Sequence, residues 1–330
     1  MTVLVTGGGG YIGSHMAWEL LDHGETVLVV DNLSTGFDWL VPGQAQLVVA
    51  DIGDASLLDR LFGDGTIDAV IHFAGSIIVP ESVSDPLKYY RNNTCNTHTL
   101  ISACIRHDVR HFIFSSTAAV YGNPRTFPVA EDAPLAPISP YGTSKLMSEQ
   151  ILRDVAAAHD FRYAALRYFN VAGADPAGRT GQSTANATHL IKVACEAALG
   201  IRDELVVFGT DYPTSDGTGI RDYIHVSDLV AAHRLALTHL RAGGESAVLN
   251  CGYGHGASVL QVVDAVKRVA GTDFSVRRAE RRPGDAAEIV ALADMARSLL
   301  GWQPQRDDLD EIVRHALNWE RHLSARNRGS

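Results

Sequence analysis

The stretch TVLVTGGGGYIGSHMAWELLDHG, residues 2–24, decides the fold class. A short apolar run leads into a glycine-rich turn, and a segment with helical spacing of apolar residues follows. Glycines allow a tight turn and let backbone N–H groups approach a pyrophosphate at the start of a helix. Gly7, Gly10 and Gly13 are spaced three apart, and Gly8, Gly10 and Gly13 fit the looser pattern G-x-G-x-x-G. The stretch predicts the first strand, turn and helix of a dinucleotide-binding domain.

The next two apolar runs, 25–31 and 45–51, each end in an acidic residue. Asp31 lies 18 residues after Gly13. A carboxylate at this place accepts hydrogen bonds from the ribose hydroxyls and repels a 2′-phosphate, which favours NAD over NADP. Asp51 closes the third run, where an adenine edge is expected, and a helix cap is the alternative interpretation of this residue.

Six apolar, β-branched runs separated by helical segments predict a parallel sheet covered on both faces. They span residues 2–6, 25–31, 45–51, 68–75, 111–116 and 163–170. The predicted fold is α/β, a Rossmann-like doubly wound parallel sheet with a smaller mixed α/β C-terminal substrate domain. We expect a dinucleotide-binding domain at 1–170 and a second domain at 171–330, with 222–250 packing back on the first. The tail, 324–330, is expected to be disordered.

The amino-acid composition argues against some classes of binding partner. The 330-residue chain is 46% hydrophobic and carries a formal charge of −10. An acidic chain without a basic run argues against nucleic acid and anionic membranes as partners, and no apolar run is long enough to span a bilayer. The four cysteines lie far apart without metal-binding spacing, so we expect no metal site and reduced thiols in the cytoplasm.

The motif FSSTAAVYG, residues 114–122, places hydroxyl groups at the end of the fifth predicted strand. Ser115, Ser116 and Thr117 follow directly on its apolar residues. In open parallel sheets, ligands bind at the carboxyl ends of the strands. These hydroxyls are therefore candidates for contact with the dinucleotide or with its substrate.

A Tyr-x-x-x-Lys spacing follows in SPYGTSK, residues 139–145. Pro140 indicates the start of a helix, on which Tyr141 and Lys145 lie one turn apart on the same face. A phenol with a pKa of about 10 is a poor base at neutral pH, but a neighbouring ammonium and a nicotinamide cation both favour the phenolate. A phenolate can take the proton of a sugar hydroxyl while a hydride leaves the carbon. An isolated surface pair is the alternative, and the glycine turn and the hydroxyl-rich strand end favour catalysis.

Seven motifs occur in one order: TGGGGYIG, HFAG, FSSTAAVYG, YxxxK, RYFN, DYPTSDGTGIRDYIHVSDL and RRPGD. In this combination the chain resembles the UDP-glucose 4-epimerases, which are extended short-chain dehydrogenases/reductases. The glycine turn and YxxxK are common to the superfamily, whereas RYFN and the long aspartate-rich motif are typical of the epimerases. The resemblance covers nearly the whole chain.

The resemblance implies reversible C4 epimerisation of UDP-glucose and UDP-galactose through a transient 4-keto sugar. The sugar gives a hydride from C4 to a retained NAD and receives it back on the opposite face. Tyr141 would take the proton of the 4-hydroxyl, and Thr117 would hydrogen-bond the same oxygen. Lys145 would hold the nicotinamide ribose and lower the pKa of Tyr141.

The resemblance also implies two sets of binding residues, because matching motif positions carry them. The NAD set is Gly7, Gly10, Tyr11, Ile12, Gly13, Asp31, Asn32, Asp51, Ile52, Phe73, Ala74, Gly75, Asn92, Ser115, Tyr141, Lys145 and Tyr168. The UDP-hexose set is Thr117, Asn170, His189, Leu190, Arg221, Arg282, Asp285 and Ile289. The two arginines would supply the positive charge that an acidic chain otherwise lacks.

Four positions depart from the pattern of these epimerases. Thr117 replaces the usual Ser and keeps the hydroxyl. Ile77 stands where many relatives carry a cofactor-facing Lys, and His189 stands where Asn is usual. Ile289 occupies a position at which a bulky Tyr excludes N-acetyl groups, so we expect some tolerance for N-acetylhexosamines.

Other functions remain as alternatives. Nucleotide-sugar 4,6-dehydratases place an acid pair after the catalytic hydroxyl, whereas Ala118 and Ala119 follow Thr117. The sequence does not clearly distinguish a UDP-glucose 4-epimerase from a 4-epimerase of UDP-N-acetylglucosamine, UDP-glucuronate or a UDP-pentose. A non-catalytic NAD-sensing protein would tend to lose Tyr141 or Lys145. By analogy with the family, we expect a homodimer formed through helices 86–106 and 139–158.

Overall fold

The computed structural model describes residues 1–185, 187–282 and 285–328. Its strands are β1 (Thr2–Thr6), β2 (Thr26–Asp31), β3 (Gln46–Val49), β4 (Ile67–His72), β5 (His111–Thr117), β6 (Arg162–Tyr168), β7 (Asn170–Ala172), β8 (Leu205–Phe208), β9 (Ile220–Arg221), β10 (Tyr223–His225), β11 (Ala247–Cys251), β12 (Ala257–Ser258), β13 (Val276–Ala279) and β14 (Glu288–Ile289). Its α-helices are α1 (Tyr11–Asp22), α2 (Ala55–Phe62), α3 (Val79–Ser84), α4 (Pro86–Tyr89), α5 (Asn96–Arg106), α6 (Pro140–Ala158), α7 (Leu190–Ala198), α8 (Val226–Arg241), α9 (Val259–Ala270), α10 (Asp294–Leu300) and α11 (Leu309–Arg328). Short 3-10 helices cover Asp38–Leu40 and Ala118–Tyr121, and a π-helical turn covers Tyr90–Cys95.

Seven strands form one sheet in the order β3-β2-β1-β4-β5-β6-β11. Every pairing in this sheet is parallel. The chain starts in the middle, runs outward to β3, and then crosses back to build the other half. The reversal beside β1 leaves a crevice at the carboxyl ends of the strands, where ligands bind in such folds. The predicted doubly wound sheet is confirmed.

Two apolar cores cover the two faces of this sheet, as a fully buried parallel sheet requires. Along β1, Val3 and Val5 enter one core and Leu4 enters the other. The first core also receives α1 and α8, and the second receives α2, α5 and α6. Alternating side chains on one strand therefore fix helices on both sides.

The chain after β6 builds smaller sheets beside the large one. β7 pairs with β10, β8 pairs with β13, and β9 lies between β12 and β14. Helices α7, α9 and α11 pack on each other and share the first core. The division of the chain into domains at residue 170 stays a prediction.

Two features differ from the sequence-based expectation. β11 was not predicted as a strand, although it is the seventh member of the large sheet. The tail is helical as far as Arg328, so predicted disorder is wrong for 324–328, and residues 329–330 lie outside the described residues. Helix α11 continues because its apolar side includes Trp319 and Leu323, which pack under Leu40. No described helix combines the length and the apolarity needed to cross a membrane.

Candidate active site

The glycine turn brings the end of β1 against the start of α1 with no room for side chains. A Cβ added to Gly13 would lie 2.1 Å from the Gly7 carbonyl oxygen, and one added to Gly7 would lie 2.6 Å from the Ala74 nitrogen. Helix α1 begins after Gly10, which has no side chain to cap it, and its first turn holds no acidic residue. The N–H groups and the positive end of the helix dipole are therefore open to a phosphate. This part of the predicted dinucleotide site fits a pyrophosphate.

Asp31, Asn32 and Asp51 come together at the ends of β2 and β3. One carboxylate oxygen of Asp31 accepts the Gly9 N–H at 2.8 Å, which ties the acid to the glycine turn. The Asn32 amide donates to Asp51 at 3.2 Å. The cap of α2 is Asp54, whose carboxylate accepts from the Leu57 N–H, and not Asp51. Asp31 is buried and accepts a backbone N–H on each carboxylate oxygen, from Gly9 and Leu33, whereas Asp51 is exposed at the crevice.

An open cleft of about 440 Å³ adjoins this group of residues. Its lining residues are Asp51, Gly53, Asp54, Lys88, Arg91, Asn92 and Asn96. Asp51 and Asn92 were both predicted to contact the cofactor, and they line the same space. Apart from Gly53, the lining residues carry polar or charged groups that can bond to the adenosine half of a dinucleotide.

Thr117, Tyr141 and Lys145 meet at the carboxyl end of β5. Ser139 caps α6 by accepting from the Gly142 N–H at 3.2 Å, and Pro140 occupies the first turn. This start places Tyr141 beside Thr117 and buries Lys145, which is 3% exposed. The Lys145 ammonium donates to the Ser115 carbonyl at 2.9 Å. Lys145 therefore faces the sheet, and Tyr141 is half-buried beside it.

Burial acts on the two titrating groups in opposite senses. It raises the pKa of the Tyr141 phenol, and a hydrogen bond from Thr117 partly offsets this rise. It lowers the pKa of Lys145 to about 8, while the Glu149 carboxylate pulls that pKa upward. Lys145 therefore stays mostly protonated at neutral pH, and its positive charge favours ionisation of the neighbouring phenol.

The loop after β4 closes the site from the other side. A Cβ on Gly75 would lie 3.7 Å from the Lys145 ammonium nitrogen and 3.0 Å from the Asn93 side-chain oxygen. Asn93 accepts the Ser76 N–H at 2.7 Å and donates to Ser144 on α6 at 3.1 Å. The loop that carries Phe73, Ala74 and Gly75 is thus fixed to the helix of the reactive pair.

The hydroxyls of Ser115 and Tyr168 share a hydrogen bond between β5 and β6. On the opposite side of the glycine turn, the Tyr11 hydroxyl donates to the Gly173 carbonyl at 2.7 Å. Ile12 follows in α1, and Ile52 is buried beyond the end of β3. Ile77 is 52% exposed, so an apolar side chain lies at the solvent edge of the HFAG loop.

The residues assigned to the UDP-hexose fall into two groups, and the first lies along β9 and β14. Ile289 is the pairing partner of Arg221 in these short parallel strands. Ile289 also packs on the apolar cluster of Ala118, Val120 and Tyr121. Since Ala118 directly follows Thr117, this cluster joins Ile289 to the segment that begins at Thr117.

Arg282 and Asp285 complete this first group. The Arg282 guanidinium lies 4.0 Å above the Phe208 ring, and both Arg282 and Asp285 are exposed. Arg221 donates to the Ile220 carbonyl at 2.8 Å, and its charge and that of Asp285 both act on the Tyr212 phenol. Among the residues that the structure describes, Arg282 contacts the Phe208 ring, Arg221 lies near Tyr212, and neither forms a salt bridge.

The second group lies around a small cavity of about 40 Å³ between β7 and α7. Asn170, His189 and Leu190, all predicted substrate residues, line it together with Lys192, Trp319 and Glu320. His189 stands at the N-terminus of α7 and contacts the Gln182 amide at 2.6 Å. In the described part of the chain, no cluster of His, Cys, Asp or Glu is arranged to hold a metal ion.

Sequence reasoning missed three buried or stacked residues. Asn93 fixes the HFAG loop, Phe208 offers a flat ring beneath Arg282, and Glu149 lies one turn beyond Lys145. Asn93 follows the predicted Asn92, and both bond to Ser76: Asn92 donates to its hydroxyl, whereas Asn93 bonds to its backbone N–H and carbonyl. Glu149 had a signal, since it continues the spacing of four residues set by Tyr141 and Lys145.

Comparisons with known proteins agree with this geometry. The NAD dependent epimerase/dehydratase family matches residues 3–252. The UDP-glucose 4-epimerase of Azospirillum brasilense is 60% identical over 97% of this chain and 92% of its own. The structure of the Bifidobacterium longum UDP-glucose 4-epimerase in complex with NAD+ and UDP has a TM-score of 0.92 and 40% identity, covering 98% of this chain and 99% of its own. The UDP-Glc/GlcNAc 4-epimerase of Campylobacter jejuni has a TM-score of 0.86 and 48% identity, covering 97% and 99%.

Proposed function

We propose that this chain, which belongs to the NAD dependent epimerase/dehydratase family, interconverts UDP-glucose and UDP-galactose by inverting C4 of the hexose. One observation carries the proposal: Thr117, Tyr141 and the buried ammonium of Lys145 converge beside an uncapped glycine turn. The curated relatives with the same activity in their names support it over nearly the full length of the chain.

Bound NAD supplies the acceptor and then the donor of the hydride. The residues of the chain handle the proton. The Tyr141 oxygen takes the proton from the sugar 4-hydroxyl, and Lys145 stabilises the phenolate by its charge. Thr117 holds the same sugar oxygen as the proton moves. The proton returns from Tyr141 after the 4-keto sugar has presented its other face, so C4 is inverted without net oxidation.

Arg221 and Arg282 hold the UDP part while the sugar turns. In the described part of the chain, Arg221 donates to the Ile220 carbonyl and Arg282 contacts the Phe208 ring, and neither is paired with a carboxylate, so both can bind a diphosphate. The chain carries a formal charge of −10, so this local positive charge is needed for an anionic ligand. We assign Asn170, His189 and Leu190 to the other side of the nucleotide, because they line one cavity.

A 4,6-dehydratase would need an acid that donates a proton to the departing oxygen. Ala118 and Ala119 follow Thr117 in a 3-10 helix, and Ala118 is buried against Val120 and Tyr121. No carboxyl group occupies the two positions where that acid is expected. The arrangement therefore favours epimerisation.

The second candidate activity is epimerisation of UDP-N-acetylglucosamine. Ile289 is smaller than Tyr and packs on the cluster beside Thr117. The Campylobacter jejuni relative is named for both UDP-Glc and GlcNAc substrates. We infer that the sugar pocket of this chain admits the N-acetyl group.

We also propose that the protein is a homodimer built from α4, α5 and α6, as the family analogy suggests. Leu87 on α4 is 77% exposed, and Met147 on α6 is 45% exposed, so apolar side chains project from these helices. We place the protein in the cytoplasm, because all four cysteines are free and that compartment keeps thiols reduced.

The decisive experiment is turnover of UDP-galactose without added NAD. The protein purified with its own cofactor should form UDP-glucose, and Tyr141→Phe should retain NAD while losing about 100-fold or more of the rate. Tyr163→Phe is the matched control, because it removes a hydroxyl from a mostly buried tyrosine at the other end of β6. Absence of product from a folded, NAD-loaded sample, or near-full activity of Tyr141→Phe, would contradict the proposal.

A further inference from the structure

A buried ion pair lies one helical turn behind the reactive lysine. Glu149 on α6 is 6% exposed and Arg167 on β6 is 3% exposed. The Arg167 guanidinium binds the carboxylate through two bonds, at 2.9 Å from Nε and 2.6 Å from Nη2. Two parallel bonds fix the relative orientation of the groups as well as their distance.

The carboxylate of Glu149 also reaches the strand that carries the catalytic hydroxyl. It accepts a hydrogen bond from the Ser116 hydroxyl on β5. Ser116 lies between Ser115, whose carbonyl holds the Lys145 ammonium at 2.9 Å, and Thr117. Helix α6 thus holds the end of β5 at two successive turns.

The rest of the Arg167 guanidinium is also bonded. Its Nη1 donates to the Tyr121 hydroxyl at 3.0 Å and to the Glu131 carbonyl at 3.1 Å. The Tyr121 hydroxyl in turn donates to Asn250 on β11 at 2.7 Å. A buried network that is fully bonded specifies one arrangement of the elements that it joins.

We propose that Glu149 is a positioning residue for the proton transfer, which holds α6 on β5 and β6 so that Tyr141 and Lys145 meet Thr117. The inference rests on the proposed function. It assigns no contact with substrate or cofactor to Glu149. It makes the reactive pair depend on a carboxylate that lies on the far side of Lys145.

The charge of Glu149 serves the same end. The Lys145 ammonium lies 4.9 Å from the centre of the Phe114 ring on β5, and its charge acts on His72 on β4; neither group carries a negative charge. His72 stays neutral because burial, together with the charge of Lys145, lowers its pKa to about 3. On α3, Glu81 is already paired with Lys88. Glu149 is the anion that raises the pKa of Lys145 against burial.

The first variant is Glu149→Gln, which keeps the shape and an acceptor for Ser116 and removes the charge. The expected result is a fall in kcat of about tenfold or more with KM for UDP-galactose within about twofold, because substrate contacts are unchanged. The high-pH decline of kcat should start at lower pH, since Lys145 loses its proton earlier. The control is Asp68→Asn, which breaks the ion pair with Arg241 at the amino end of β4.

The buried Arg167 is left without its partner in Glu149→Gln, which can destabilise the fold. The double variant Glu149→Gln with Arg167→Met removes both charges and carries the test if the single variant does not fold. It should regain stability and still show a lowered kcat and an earlier high-pH decline. Glu149→Asp should keep the titration of Lys145 and lose rate, because the shorter side chain cannot hold Ser116 and Arg167 together.

A measurement that does not depend on enzyme turnover tests this inference independently of the proposed function. The chain has four lysines, so 13Cε-lysine NMR can follow the titration of Lys145 directly. In Glu149→Gln the Lys145 midpoint should move to lower pH, while in Asp68→Asn it should not move. The proposal would be overturned if Glu149→Gln matched the wild type in both the Lys145 titration and kcat. It would also be overturned if both quantities returned fully to wild type in the double variant. Lack of epimerisation by the wild type would instead refute the proposed function.

Discussion

At the scale of single residues, hydrogen bonds and charges counteract the effect of burial on the pKa values of Tyr141 and Lys145. A buried phenol resists ionisation and a buried ammonium tends to lose its proton, so burial alone would leave Tyr141 a poor base. The structure counters the loss at Lys145 with the anion of Glu149 and counters the rise at Tyr141 with Thr117. The protonation of Tyr141 and Lys145 therefore depends on four side chains: these two, Thr117 and Glu149.

Ile289 sets the expected range of sugars. It lies between Arg221, its strand partner, and the cluster that follows Thr117. We expect the wild type to convert UDP-N-acetylglucosamine as well as UDP-glucose. Ile289→Tyr should lower turnover of the N-acetyl sugar by about tenfold or more, because a filled pocket excludes the larger group.

The matched variant is Ile289→Val, which leaves the pocket open and should keep both activities. Both sugars are assayed by separating the epimers after a timed incubation. No turnover of UDP-N-acetylglucosamine under conditions where UDP-glucose reacts would show that this pocket does not admit the N-acetyl group.

At the scale of elements, the sequence pattern predicted those helices and strands whose formation depends on neighbouring residues. Helix 139–158 was predicted from Pro140 and its apolar spacing, and it runs Pro140–Ala158. Strand β11 was missed because its only sheet partner is β6, about 80 residues earlier in the chain. The pattern of a five-residue run does not show that it pairs with a strand so far away in the chain.

The candidate site divides in the same way. Tyr141, Lys145 and Thr117 stand out by spacing, since their chemistry depends on a motif. Asn93 does not stand out, because it is one of two adjacent asparagines and only the structure shows that it, and not Asn92, holds the Ser76 backbone. Phe208 resembles any core aromatic until Arg282 is seen above its ring.

The junction of β1 and α1 yields the prediction at this scale. A Cβ on Gly13 would lie 2.1 Å from the Gly7 oxygen and 2.7 Å from the Gly7 carbonyl carbon, which are backbone atoms. Gly13→Ala therefore has to push α1 away from the turn. We expect a loss of about 1–3 kcal/mol of stability from overpacking and a sharp fall in NAD retained on purification.

Gly43→Ala is the control, because a Cβ there meets nothing within 4 Å. Thermal unfolding measures the stability, and NAD released by acid denaturation measures occupancy. A Gly13→Ala protein that keeps full NAD occupancy would show that the turn does not set the cofactor site.

At the scale of the molecule, the helix that follows the glycine turn is bound to the chain that follows β7. Tyr11 donates to the Gly173 carbonyl, and Ser14 shares a hydrogen bond of 2.7 Å with Thr180. Further out, the Trp39 and Trp319 rings stack at 6.3 Å, which joins the loop after Asp31 to α11. These contacts join α1 and the loop after Asp31 to Gly173 and Trp319, which line the cavity between β7 and α7.

The proposed dimer adds a second copy on the side of α4 and α6. Apolar side chains at the centre of an interface contribute most of its stability, and a buried unpaired charge there is costly. Leu87→Lys combined with Met147→Lys should convert a dimer into a monomer, as measured by light scattering after size exclusion. Ile201→Lys is the control, because Ile201 is 53% exposed in the turn after α7, away from these helices. A wild-type mass equal to one chain, or a double variant that stays dimeric, would show that α4 and α6 do not form the interface.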